Sequence, residues 1–175
     1  RFMLVAALNP CPCGFYGDSN HECKCTTREI LRYQKRVSGP MLDRIDIHVD
    51  VPAVKASKIV SDEENTSESS KTIRKRVSKA RKIQHARFKN LPAGRQGKRI
   101  ITNSEMSNRD IKEFCKIDDE TREILKQALI RLSLSARAYH KVIKIAQTIS
   151  DLEDAKGISR AHVLEALQYR PKLES

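Results

Sequence analysis

Four cysteines stand within fifteen residues as two Cys-x-Cys turns, Cys11-Pro12-Cys13 and Cys23-Lys24-Cys25, with His21 beside the second. Two such turns can converge four thiolates on one tetrahedral zinc ion, and four sulfurs leave no open position for a catalytic water. A disulfide pair or unligated thiols are the other states open to these residues. A cytoplasmic chain keeps thiols reduced and available to metal. Cys115 follows Ile111 and Phe114 and reads as core.

A second chemistry is electrostatic. Residues 71–99 hold twelve Lys or Arg and no acid, while the rest of the chain balances at 22 basic and 22 acidic residues, so the net charge of +12 sits in this block. Lys71, Arg74, Lys75, Lys79, Arg81 and Lys82 would form a positive stripe suited to a polyanion, nucleic acid being the usual one. A solvated helix face is the plain alternative.

Three further residues stand out, of which Asn9 is at an expected strand end of the kind where α/β proteins place chemistry. Asn9 ends the apolar run 2–8, Arg44 stands in Asp43-Arg44-Ile45-Asp46, and Arg137 stands in Ser135-Ala136-Arg137. Taken alone, Arg44 is an ion-pair partner for Asp43 or Asp46.

The elements that must position these residues can be read from periodicity. The run 2–8, closed by Asn9-Pro10, predicts a buried parallel strand. Residues 45–51 alternate Ile45, Ile47, Val49, Val51 against Asp46, His48, Asp50 and predict a half-buried strand ended by Pro52. Thr27 is the expected cap of a helix to about Val37. Residues 57–70 are polar and acidic and read as a hinge.

Beyond the hinge the pattern is helical. Ile73, Val77, Ala80 and Ile83 predict one packed face inside the basic block. A loop rich in Pro and Gly follows at 91–97. Further helices are expected from Ser107, from Asp118 with Leu125 inward, from Ser135 with Ala138, Val142, Ile145 and Ile149 inward, and from Ser159 with Val163, Leu164 and Leu167 inward. His48 and His162 are expected on element surfaces and His85 on the basic face. Tyr33 and Tyr139 are expected to pack.

Three segments carry a family likeness: 9–14 (Asn-Pro-Cys-Pro-Cys-Gly), 38–46 (Ser-Gly-Pro-Met-Leu-Asp-Arg-Ile-Asp) and 132–140 (Leu-Ser-Leu-Ser-Ala-Arg-Ala-Tyr-His). With them the chain resembles, over almost its whole length, the magnesium-chelatase-like AAA+ ATPases of the ComM and YifB type, and more distantly the MCM helicases. The loop 91–98 fits nothing in that pattern. The resemblance implies an α/β fold: the C-terminal part of an AAA+ core at 1–56, with two or so parallel strands and a cysteine-rich insertion, then the hinge, then an all-α lid bundle at 71–175.

It also implies roles. Asn9 resembles sensor 1, which orients the water that attacks the γ-phosphate; Arg44 resembles an arginine finger reaching the ATP of a neighbouring subunit; Arg137 resembles sensor 2. On this resemblance Asn9 and Arg137 bind the nucleotide, the cofactor is ATP with Mg2+, and the partners are copies of the chain in a ring, expected as a hexamer, with DNA as the substrate.

Other features limit the reading. No stretch of about 18 apolar residues suggests a membrane helix, and residues 1–8 lack a signal-peptide pattern, so the expectation is a cytoplasmic chain that begins inside a domain. No Gly-x4-Gly-Lys-Ser/Thr loop occurs, nor an apolar strand ending in paired acids, so this chain alone is expected not to hydrolyse ATP. A chelatase motor acting on porphyrin, and a zinc-stabilised nucleic-acid-binding module with no ATPase role, are the alternatives.

Overall fold

The computed structural model describes residues 2–52, 68–91 and 99–170. The expected α/β class is overturned: the described residues contain helices and no strand. A strand exists only through a ladder of hydrogen bonds to a neighbour, and neither candidate segment has one among the described residues. Residues 2–8 are exposed, with Phe2 at 91%. In 45–51 a backbone bond to a distant segment runs from His48 N–H to the Tyr169 carbonyl, at 3.0 Å. Apolar content and a period of two were present without the partner that would convert them into sheet.

The chain divides into two compact units. The first comprises residues 1–45 and 49–64, the second 46–48 and 65–175. The expected hinge at 57–70, through residue 67, and the loop at 92–98 lie outside the described residues.

In the first unit, α1 (Thr27–Gln34) is capped by Thr26, one residue earlier than expected. The Thr26 hydroxyl accepts from Glu29 N–H and the Glu29 carboxylate accepts from Thr26 N–H at 2.8 Å, a reciprocal pair that satisfies two otherwise orphaned donors. A single turn, α2 (Gly39–Leu42), follows with Pro40 in its first positions, where a missing N–H costs nothing.

In the second unit, α3 (Ser70–Phe88), a 3-10 turn (Asn103–Glu105), α4 (Asn108–Phe114), α5 (Asp119–Arg131), α6 (Ala136–Leu152) and α7 (Arg160–Gln168) form a bundle. Ser69, Ser107, Asp118, Ser135 and Ser159 cap the five α-helices through side-chain oxygens. α6 is the hub, touching α3, α4, α7 and the 3-10 turn. It therefore buries more than one stripe: Ala138, Val142, Ile143, Ala146, Gln147, Ile149, Ser150 and Asp151. Leu125, Val142 and Val163 are fully enclosed at the centre, each such burial contributing about 1.5–3 kcal/mol.

Two inward faces differ from expectation. On α3, Ile73 and Val77 are exposed and the buried residues are Ala80, Gln84 and Phe88. On α7, Leu164 is exposed and His162 is buried. His162 is held between Ser159 N–H, which donates to Nδ1 at 2.9 Å, and a Glu153 carboxylate oxygen 2.9 Å from Nε2. Two polar partners are what make an imidazole tolerable in a core position.

Candidate functional site

The four cysteines of the first unit converge. Cys11 and Cys13 bring their sulfurs within 3.3 Å of one another, Cys11 and Cys23 within 3.8 Å, and Cys13 and Cys23 within 3.6 Å; with Cys25, all four lie within 4.8 Å of one another. A disulfide needs about 2.0 Å between sulfurs, and all four thiols are free. Zinc–sulfur bonds of about 2.3 Å in a tetrahedron place sulfurs about 3.8 Å apart. The donor set fits zinc both in chemistry and in size.

Local structure explains the convergence. Gly14, at φ +86°, turns the first pair, with its N–H on the Cys11 carbonyl at 3.1 Å; the left-handed region suits glycine. Asp18 accepts from Asn20 and His21 N–H groups at 2.6 and 3.1 Å, and these bonds hold its carboxyl below the usual range. Phe15 stacks on His21 with ring centres 4.9 Å apart. The chain is thereby returned to Cys23, and Cys25 leads directly into the Thr26 cap.

Proximity also separates the thiols electrically. A backbone hydrogen bond from Phe15, aided by its neighbours, lowers Cys13 to about 6. For Cys25 a backbone bond from Cys13 acts downward, but burial and the Cys13 and Cys11 sulfurs carry it up to about 12. Cys23 moves up on the same grounds, against a backbone bond from Cys25. One thiolate is accommodated and others beside it are repelled, a conflict that a dication removes.

Asn9 and Arg44 also belong to the first unit. Asn9 is exposed, and a Cβ added at Gly14 would stand 3.7 Å from its Nδ2. Arg44 is exposed, and its Nη1 donates to the Pro40 carbonyl at 2.6 Å. Asp46, one of the partners expected for Arg44, pairs with Lys141 at 2.9 Å.

Arg137 belongs to the second unit. Ser133, in the left-handed region at φ 46°, ends the turn after α5, and Ser135 caps α6 by accepting from Ala138 N–H at 3.1 Å. Arg137 is thus exposed on the first turn of α6, where orphan N–H groups favour anions. A shallow depression of about 420 Å³ is lined by Asn108, Ala136, Arg137, His140, Lys141 and Lys144. Lys144 donates to the Ser104 carbonyl at 2.9 Å, and burial lowers its pKa. Lys141 and Lys144 were missed in the sequence, although their spacing of four and seven from Arg137 places them on one helical face.

The six basic candidates lie between residues 71 and 82 of α3. Lys71, Arg74, Lys75, Lys79, Arg81 and Lys82 are all exposed, and all but Arg81 line, with Ser78, a shallow depression of about 390 Å³. Lys79 pairs with Asp154 at 2.7 Å.

Residues 67–170, more than half of the chain, match the family model described as magnesium chelatase, subunit ChlI C-terminal. The chain belongs to the magnesium chelatase family. Residues 1–59 match the model for magnesium chelatase, subunit ChlI. YifB of Salmonella typhimurium and YifB of Escherichia coli are each 39% identical over 170 residues, and competence protein ComM of Haemophilus influenzae is 37% identical over 173. Each match covers 97% of this chain but only 31% of the relative, so the chain spans about a third of their length.

The magnesium chelatase family is of the AAA+ ATPase type and generally oligomeric. The family is associated with ATP and Mg2+. Among the described residues no helix is long and apolar enough to cross a membrane.

Proposed function

We propose that this chain is the arginine-bearing C-terminal portion of a ring-forming AAA+ ATPase that remodels DNA. The observation that carries the reading is that Arg44 and Arg137, both in family-matched segments, present their guanidinium groups at the surface rather than in the core. A residue that must reach a nucleotide has to be placed so.

In this reading each group has one task. Asn9 orients the attacking water, since an amide can accept from water and donate to phosphate without adding charge. Arg44 reaches the γ-phosphate of the ATP on the adjacent subunit of a hexameric ring, where its permanently charged fork stabilises the charge that develops in transfer. Arg137 binds phosphate from the first turn of α6. Mg2+ would accompany the ATP and supply positive charge to its phosphates; both would be held mainly by parts of the complete protein outside this chain. Zn2+ is the second metal, held by Cys11, Cys13, Cys23 and Cys25. The exposed cations of α3 track the DNA backbone.

The test is Arg44→Ala in the complete protein. Turnover should fall by about 10³–10⁵-fold, the range for loss of an arginine finger, with ATP affinity retained; undiminished turnover would exclude the finger role.

A second reading is favoured by the charge of α3 and the sulfur cluster taken together, namely a zinc-stabilised nucleic-acid-binding module. It requires salt-dependent DNA binding by this segment alone, with Arg44→Ala of no consequence to the activity of the complete protein.

A further inference from the structure

We infer that zinc on the four cysteines acts as a clamp that fastens the backbone around Asn9 to the N-terminus of α1, an inference that rests on the zinc assignment above. The sulfurs come from the two ends of one loop. Cys11 lies two residues after Asn9, and Cys25 lies immediately before Thr26, the cap of α1. A single ion bonded to both ends would fix the separation between Asn9 and the helix start.

Among the described residues of this unit little else can do so. Among its described residues, the buried hydrophobic ones are Cys11 and Ile30, and Cys11 is itself a donor to the ion. Residues 2–10 are exposed. A long hydrogen bond, from Gln34 Nε2 to the Pro10 carbonyl at 3.4 Å, links this segment to α1. A unit with so small a core needs a staple, and a closed four-sulfur site supplies one, because metal binding and local folding are then the same event.

The geometry also leads from the metal to Asn9. Gly14 is hydrogen-bonded back to Cys11, and a Cβ added there would stand 3.7 Å from Asn9 Nδ2, so this turn lies near the Asn9 side chain. The turn that presents Cys11 and Cys13 to the ion is thus the neighbour of the exposed Asn9 side chain. His21, stacked on Phe15 and 3.7 Å from Asp18 through Nδ1, is outside the sulfur set. Asn9 is in this sense positioned by the site without touching the ion.

The experiment uses the complete protein in three forms: wild type, the Cys11→Ser/Cys23→Ser double variant, and wild type stripped with a zinc chelator and then resupplied with ZnCl2. Elemental analysis should give about one zinc per wild-type chain, the content of one closed four-sulfur site, and almost none in the double variant. Hydrogen exchange should show protection lost across residues 9–14 and 26–31 in both zinc-free forms, unchanged in α6, and restored by ZnCl2. Turnover of ATP should fall by about 100-fold, the scale of an ångström-level misplacement, with ATP still bound.

Wild-type protein without stoichiometric zinc would overturn the metal site itself. Zinc present, with exchange at 9–14 indifferent to its removal, would overturn the clamp and leave the metal site standing. Undiminished turnover in Asn9→Ala would instead remove the catalytic role of Asn9, without touching the zinc and exchange results. The reversible stripped form keeps the test decisive should the double variant fail to fold.

Discussion

Arg87 of α3 and Asp151 of α6 form a two-pronged ion pair in the second unit: Nη1 donates to Asp151 Oδ2 at 2.9 Å and Nη2 to Oδ1. Nη1 also donates to Asn103 Oδ1 at 2.8 Å, while Asn103 Nδ2 donates to Asp151 Oδ2 at 2.7 Å and Gln147 Nε2 to Oδ1 at 3.1 Å. The pair therefore closes a triangle among the basic helix, the 3-10 turn and the hub helix. The arginine side chain is 16% exposed and the carboxylate 1%.

Breaking that triangle from one side should be costly, because it strands the partner's charge in a low-dielectric site. Asp151→Ala is expected to destabilise the bundle by about 3–5 kcal/mol, read as a lowered urea midpoint with an unchanged slope. The paired change Arg87→Met/Asp151→Leu removes both charges and should recover much of the loss. A cycle in which the double variant is as unstable as the sum of the two single ones would show that Arg87 and Asp151 do not act together.

This pair also shows where sequence reasoning stops. On α3, the apolar residues Ile73 and Val77 set an expected face, but the buried face turns toward Gln84 and Phe88, with Arg87 brought inward by a carboxylate 64 residues away. No local pattern contains that partner. Caps are different, since a serine or aspartate and the N–H it satisfies lie within one turn; Ser107, Asp118, Ser135 and Ser159 could be read from the chain for that reason.

The strands failed for the opposite reason, an alternation at 45–51 without a ladder to express it. In the candidate site the cysteines were legible as a candidate metal set because they come in two short turns close in sequence, while the return of the loop depends on Asp18 and on the Phe15–His21 stack. The cationic face around Arg137 was half-legible: the arginine was marked by its motif, whereas Lys144 is tied down by the Ser104 carbonyl, a contact across 40 residues.

The cap of α5 gives an acid-sensitive contribution with a defined sign. The Thr121 N–H donates to Asp118 Oδ1 at 2.7 Å, and this bond lowers the carboxyl below its ordinary value of 3.8. A carboxylate with a depressed folded pKa stabilises above the unfolded value and loses that contribution as pH falls through 3.8 and below the folded value. Asp118→Asn retains the cap acceptor but cannot titrate. Its stability should therefore vary less between pH 5 and pH 2 than that of the wild type; parallel pH–stability curves would count against the assignment.

If α3 carries the DNA contact, its cations should differ in weight. Each phosphate contact removed should lower the slope of log K against log salt by about 0.9 for duplex DNA. Lys75→Ala should show that full decrement. Lys79, engaged with Asp154 at 2.7 Å, should show less, and Asp154→Ala should raise affinity by freeing it. Equal slopes for all three variants, measured by fluorescence anisotropy over a salt series, would place the DNA elsewhere.

Arg137 offers the sharpest separation of binding from rate. Its place on the first turn of α6, beside Lys141 and Lys144, makes positive charge abundant, so loss of one charge should affect nucleotide affinity less than it affects transfer. If Arg137 binds the nucleotide as proposed, what the neighbouring lysines could not replace is a planar fork able to meet two phosphoryl oxygens at once. In the complete protein, Arg137→Ala is expected to lower kcat by about 10²–10³-fold, the loss typical of one preorganised electrostatic donor. Arg137→Lys should restore ATP affinity but recover only part of kcat, as an ammonium reproduces the charge without the geometry. Full recovery of kcat by lysine would mean that Arg137 supplies field alone, and a rise in KM with kcat unchanged would mean that it binds ATP without assisting the chemical step.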